Sequence, residues 1–409
     1  MSVKVCMLSK FNTLFDSRMF ENESKSLLKN GFDVTSIIPR YNGYICRLNF
    51  TTIRDQFLDK SFIHEGIHIL TYEYGQEPLE TMLLNIKSKH HYGFRDPLMA
   101  AGLTVDAEIY HAHSLYSLYA GVGIKRAMKE AGKDIKLIYD CRDLNADPHN
   151  KQPDNLKLMD LLLHMLDEVD YLLTVSESIK AWYLIQKPNL PIELIYNSPP
   201  LANIIEPKKF NEGSLTACYE GIVHPQRGGL DKILRITELT NQKIDFNFSI
   251  IGGLLRGFQL VIPEPLKDRI PIHNWVDYHS IPQYMKTVDV SWIDLDTRNS
   301  LNRLFAMPNK FFSALNNGVP VVCNKGNDME NFIRFHHCGL VIDKHSPTVE
   351  DYVEAFIYLH EHRDLLKMMS ANARRAMETH FSWELMEKRL IDVYQRLLEK
   401  NKDRVFYLT

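Results

Sequence analysis

Pro308, Asn309 and Lys310 form the most specific chemical signal in the sequence. A proline that opens a helix, with Asn and Lys in the first turn, sets backbone N–H groups and a cation side by side, where a diphosphate can sit. The bland alternative is a surface helix with a Pro start and, at Gly318, a Gly stop. Asp294 and Asp296 form a D-x-D that could hold a metal, but they follow a strand in a loop. His336-His337-Cys338 lacks the second half of a zinc site. No metal site is therefore expected, and no Ser-His-Asp or paired-carboxylate signature stands out. The cysteines, Cys6, Cys46, Cys141, Cys218, Cys323 and Cys338, are scattered without a C-x-x-C pair and read as reduced core thiols.

A scaffold must position these groups, and 409 residues exceed what one core usually supports, so two domains of about 200 residues are expected. With 48 Lys and Arg against 51 Asp and Glu, the net charge of -3 offers no whole-chain attraction to nucleic acid or to an anionic membrane. No nucleic-acid partner is expected. The first ten residues lack a signal-peptide core and no window approaches the roughly 18 apolar residues of a membrane span, which places the chain in the cytoplasm.

Short apolar runs alternate with helical periods along the whole chain. The first unit reads as strand Val3 to Ser9, a loop, helix Arg18 to Asn30 with Glu21, Glu23, Lys25 and Lys29 on its wet face, and strand Asp33 to Pro39. Further buried runs at Ile67–Thr71, Ile109–Ala112, Leu137–Tyr139, Tyr171–Val175 and Glu193–Tyr196 extend the series. After Tyr196 a stretch rich in proline has no periodicity, and a second series starts at Ser214. Strands buried on both faces and joined by helices imply parallel, doubly wound sheets, with ligand expected in the cleft between the domains.

Several stretches fall in an order that resembles one known family. They are Arg18 to Val34, Tyr110-His111-Ala112-His113, Tyr139-Asp140-Cys141-Arg142-Asp143-Leu144, Leu173 to Glu177, Ile195-Tyr196-Asn197, Tyr219-Glu220-Gly221, Arg227 to Lys232, Ile250 to Gly253, the Pro308 to Phe312 segment with Gly318 to Val322, and Phe381-Ser382-Trp383-Glu384. Together they are similar to glycosyltransferase family 4, in the branch with the Pro-Asn-Lys motif. The resemblance implies an α/β chain of GT-B architecture, two Rossmann-like domains with parallel sheets facing a cleft. Residues 1–198 would be the acceptor domain, 199–213 the linker and 214–380 the nucleotide-sugar domain. Residues 381–409 would carry a helix that returns to the first domain, anchored by Trp383.

The resemblance also implies a metal-independent, retaining transfer of a hexose from a UDP or GDP sugar to a polysaccharide, glycolipid or other glycoconjugate acceptor. The donor is a substrate and no cofactor is implied. His113 would contact the donor sugar, and Arg227 and Lys310 would stabilise the leaving diphosphate. Arg18, Gly221, Lys232, Pro308, Asn309 and Ser313 would complete the donor site. Asp140, Arg142 and Asp143 would serve either the acceptor or a strand-end salt bridge. Lys87, Lys89, His90, His91, Tyr92 and Phe94 form either a solvated loop or a peripheral contact with the inner face of a membrane.

Two departures from the family pattern bear on activity. The family's pair of glutamates, seven residues apart, reads Phe305 and Ser313, and the first loop, Lys10 to Ser17, has no glycine. A hydroxyl is a weaker ribose partner than a carboxylate, and Asp328 or Glu330 in the following loop could supply the missing one. The rival readings are a non-catalytic binding subunit with the same fold and a sugar-nucleotide epimerase.

Overall fold

Alternate residues of the first strand go to different cores. In β1 (Lys4–Ser9), Cys6 and Leu8 join one apolar cluster while Val5 and Met7 join another. A strand with apolar side chains on both faces must lie inside a sheet covered on both sides, which short connections and helices accomplish here. The computed structural model describes residues 2–203, 208–223, 229–253 and 261–399.

The first sheet contains β1, β2 (Asp33–Arg40), β3 (Ser61–His64), β4 (Ile67–Glu73), β5 (Ile109–His113), β6 (Lys136–Cys141), β7 (Tyr171–Thr174) and β8 (Ile192–Leu194). Their order is β3-β4-β2-β1-β5-β6-β7-β8, and every pairing is parallel except β3 with β4. The antiparallel edge strand was not anticipated. It is made by a two-residue turn in which Glu65 (φ 48°) and Gly66 (φ 82°) both take left-handed conformations, the geometry of a type I′ hairpin.

The second sheet holds β9 (Ser214–Glu220), β10 (Asp245–Ile251), β11 (Ile272–His273), β12 (Val290–Ile293), β13 (Val321–Asn324) and β14 (Gly339–Ile342). Its order is β11-β10-β9-β12-β13-β14, all parallel. Strand order reverses at β1/β5 in the first sheet and at β9/β12 in the second. The loops after those strands diverge to opposite faces and leave a crevice at the carboxyl ends.

Two features of the helices differ from expectation. The helix after β1 begins as a π-helix, Ser17–Ser24, before its α-helical turn Lys25–Lys29. Around an α-helix, five residues span about 140° beyond a full turn, so Arg18 and Glu23 would point apart; an i to i+5 repeat stacks them on one face. That register buries Glu23 completely, where an α-helical period leaves it in water. Helices Leu79–Ser88 and Pro97–Leu103 were also unassigned. The first of these carries Lys87, which pairs with Asp160. Phe94 is buried and stacks on Tyr119, and Tyr92 bonds Glu130, so the 87–94 run is tied to its own domain.

The last described helix, Trp383–Leu398, lies on the first sheet, with Trp383, Met386, Leu390, Val393 and Tyr394 buried beside Val5, Phe20, Leu27 and Ile109. All six cysteines are buried. Among the described residues no helix is long and apolar enough to cross a membrane.

Candidate functional site

The crevice at β9/β12 gathers the Pro-Asn-Lys segment. Helix Asn309–Asn316 starts after Pro308, whose extended backbone (φ -74°, ψ 155°) ends the preceding loop, and no side chain caps its first turn. Asn309 is exposed at that turn. The Lys310 ammonium stands over the Tyr219 ring, 3.8 Å from its centre, at the end of β9. The next residue but one, Gly221, has φ 135°, and a Cβ there would lie 3.3 Å from Lys310 Nζ. The backbone conformation favours glycine at this position, and a Cβ would also press on the ammonium.

Ser313, one helical turn beyond Asn309, lies close to the Glu220 carboxyl. Burial pushes the Glu220 carboxyl up, while the Ser313 hydroxyl and the Lys310 charge pull it down, and its Oε2 has no hydrogen-bond partner among the described residues. Sequence reasoning missed Glu220. The available signal was a carboxylate ending an apolar strand, next to a glycine. Of the two residues considered as substitutes for the missing glutamate, Asp328 Oδ1 accepts from the Ser178 amide at 3.1 Å across the cleft, and Glu330 pairs with Arg334.

Lys232 does not reach this subsite. Its ammonium bonds Asp294 Oδ2 (2.6 Å) and the Pro347 carbonyl (2.8 Å), which fixes helix Leu230–Thr240 to the end of β12. The D-x-D is consumed as well: Asp294 also accepts from Tyr352, and Asp296 pairs with Arg298. Arg227 lies outside the described residues.

In the first domain the predicted site residues turn inward. Arg18 is 2% exposed; its Nε and Nη2 grip Asp140 at 2.7 and 3.0 Å, and Nη1 donates to the Ile195 carbonyl and Asn197 Oδ1. With its donors so engaged it is a fastener between the π-helix, β6 and the segment after β8, and the expectation that it meets a donor phosphate is not met. His113, at the end of β5, is wholly buried rather than facing the cleft. Its Nδ1 donates to Asp140 Oδ2 (3.2 Å) and its Nε2 faces Glu23 Oε2 at 3.5 Å. Burial holds the His113 and His111 imidazoles below their ordinary range, so both are neutral, while Arg18 and His113 keep Asp140 ionised against its own burial. The next residue, Ser114, is held at φ 82° ahead of helix Leu115–Glu130. Arg142 pairs with Asp16 at 3.2 Å.

The domains meet around a polar crevice of about 750 Å³ lined by Asp143, Asn145, Asp147, Asn299, Asn302 and Arg303, among others. Across it, Ser300 donates to Asp147 Oδ2 (2.6 Å) and the Leu144 amide to Asn302 Oδ1 (2.7 Å). Neither Lys310 nor Glu220 lines it. Farther along the interface, His279 contacts Glu21 at 3.1 Å.

Residues 234–392 match the sequence family described as glycosyl transferase-like. YtcC of Bacillus subtilis strain 168, a candidate glycosyltransferase, is 23% identical, the match covering 76% of this chain and 84% of that protein. Among solved structures, sucrose-phosphate synthase from Thermosynechococcus elongatus has a TM-score of 0.68 at 13% identity, covering 97% of this chain and 99% of its own. Anabaena Alr3699/HepE in complex with UDP and glucose has a TM-score of 0.67 at 13% identity, covering 96% and 100%. A glycosyltransferase from Rickettsia africae ESF-5 has a TM-score of 0.60 at 14% identity, covering 98% and 100%. These likenesses show the fold, which is GT-B.

Proposed function

We propose that this chain is a cytoplasmic, metal-independent glycosyltransferase that moves a hexose, with retention, from a nucleoside diphosphate sugar to a glycan-bearing acceptor. The observation that carries the reading is the convergence at β9/β12 of the Lys310 ammonium, the uncapped first turn of helix Asn309–Asn316 and the close-packed backbone at Gly221. Departure of a nucleoside diphosphate builds negative charge on its outer phosphate, and a fixed cation beside helix amides meets that charge without reorganising. Arg227, from its place in the motif order, would add a second cation. The Glu220–Ser313 pair supplies a carboxylate and a hydroxyl for a ribose diol, and so offsets the glutamate that Ser313 replaces.

The interdomain crevice, lined by carboxylates, amides and one guanidinium, suits the hydroxyl groups of a sugar acceptor better than an acyl chain. Alr3699/HepE, which shares the fold, was captured with UDP and with glucose, and UDP sugars are therefore the donors to try first, with GDP sugars next.

The test is calorimetric titration of UDP, GDP, ADP and their sugars into the wild-type protein and Arg227→Ala. Saturable binding of one nucleotide, weakened by the substitution, supports the transferase. A protein that binds none of them is a non-catalytic relative with the same fold, and the proposal fails.

A further inference from the structure

Under the floor of the cleft, four elements bring together residues that are far apart in sequence. His111 and His113 project from the same face of β5, Glu23 comes from the π-helix, Asp140 from β6 and Tyr394 from the last helix. Suitable nitrogen and oxygen atoms of Glu23, His111, His113 and Asp140 all lie within 4.8 Å of one another, and all four residues are completely buried. Val5, Met7, Ile109 and Ile138 on the same sheet face are apolar.

The hydrogen bonds in the cluster leave a specific set of atoms over. His113 uses Nδ1 on Asp140, and His111 uses Nδ1 on the Tyr394 hydroxyl (2.8 Å), whose own hydrogen is directed at Met7 Sδ (4.0 Å). His113 therefore keeps its proton on Nδ1 and turns an Nε2 lone pair toward Glu23, and the Nε2 of His111 faces the same carboxylate. Glu23 Oε2 lies 3.5 Å from His113 Nε2 and 4.0 Å from His111 Nε2. Both Nε2 atoms and both Glu23 oxygens are buried without a hydrogen-bond partner. The Arg18 guanidinium also approaches Glu23, its Nε 2.9 Å from Oε1 but directed at Asp140.

We infer that Glu23, His111 and His113 hold a divalent transition-metal ion, zinc by preference, that pins the π-helix to β5 beneath the cleft. Two imidazole nitrogens and a carboxylate oxygen are three of the four ligands such an ion takes, and at bond lengths of about 2.0–2.2 Å tetrahedral ligands stand about 3.4 Å apart. Glu23 Oε2 is 3.5 and 4.0 Å from the two Nε2 atoms and all these atoms lie within 4.8 Å of one another, so the cluster contracts to seat the ion. Each histidine has the outer partner on Nδ1 that orients a metal-bound imidazole: a carboxylate for His113 and a phenol for His111. Arg18 stays on Asp140 and Glu23 Oε1, leaving Oε2 for the ion. The ion is structural in this account and takes no part in the proposed transfer.

The experiment measures metal per chain by mass spectrometry on full-length protein made in zinc-supplemented medium. The wild type is expected to carry about one zinc ion, Glu23→Gln less than a tenth of that, and His164→Gln, which removes a surface histidine, as much as the wild type. Phenanthroline should lower the wild-type Tm and zinc should restore it, with no effect of either on Glu23→Gln. Where Glu23→Gln does not fold, the wild type reconstituted with cobalt decides, since bound Co(II) gives visible d–d bands. A wild type without metal above background, whose Tm ignores chelator and zinc and which gives no cobalt spectrum, overturns the inference.

Discussion

The Lys310 ammonium lies 3.8 Å from the centre of the Tyr219 ring, where the end of one strand meets the start of one helix. A cation held on an aromatic face keeps its position. Lys310→Met keeps the length of the side chain and removes the charge. With the donor found by titration, kcat should fall about 100-fold, the scale of losing one preorganised stabiliser of developing charge. A steady-state assay in which kcat is unchanged and only KM rises would show that Lys310 holds the ground state alone.

Glu220 and Ser313 should act as a unit on the nucleoside rather than on the phosphates. Glu220→Gln keeps the shape and removes the charge, and the Kd for the nucleotide should rise about tenfold, as for loss of a hydrogen bond to a charged group. Ser313→Ala should cost less, and the double variant little more than Glu220→Gln, because neighbouring groups acting on one ligand group are not additive. Calorimetry with the nucleoside monophosphate separates this from Lys310: the Glu220 effect should persist without the outer phosphate, and the Lys310 effect should vanish.

The scaffold was legible in the sequence because each parallel strand is a short apolar run bounded by helical periods, and Helix Asn309–Asn316 has the bounds its Pro and Asn residues suggest. The site was legible only where it is local. Pro308, Asn309 and Lys310 act through one helix turn, and so the sequence carries them. Glu23 was read as a wet helical residue because the period assumed was 3.6, whereas the π-helix puts it beside Arg18 and under the sheet. His113 was placed at a strand end, correctly, but which way a strand-end side chain turns depends on what covers that face. Here Glu23, Asp140 and the returning helix do, and no local pattern announces them. Lys232 and Asp294 each resembled half of a functional motif, and their mutual bond shows that each is the other's partner.

Lys208 offers a test of stability against pH. Its ammonium is largely buried at the end of helix Ile281–Met285, donating to the Met285 and Lys286 carbonyls, and burial lowers it from 10.5 to about 8. Between those values the unfolded chain holds a proton that the folded chain does not, so raising the pH favours folding, and the gain is lost as pH falls through about 8. Urea unfolding of the wild type relative to Lys208→Met should show stability rising between these limits by up to ~1.4 kcal/mol per pH unit. Below about pH 8 the difference should be flat. A flat difference across the whole range would mean that Lys208 is solvated.

Trp383 is the hinge of the returning helix. It is 4% exposed; its indole Nε1 donates to Ser26 Oγ at 2.9 Å and its amide to the Pro199 carbonyl at 3.0 Å, so one residue ties the helix to the first domain and to the start of the linker. Trp383→Ala should destabilise the first domain by about 3–5 kcal/mol, the cost of emptying a large buried aromatic site. Trp383→Phe and Ser26→Ala should each cost about 1 kcal/mol, and together no more than the larger of the two, because both remove the same hydrogen bond. Hydrogen exchange adds a spatial check. Amides of residues 383–398 should lose protection in Trp383→Ala while β9 and β10 of the second sheet keep theirs, because the helix packs against Val5, Leu27 and Ile109 and not against that sheet. Equal loss in both sheets would place Trp383 in a core common to the two domains instead of at the return.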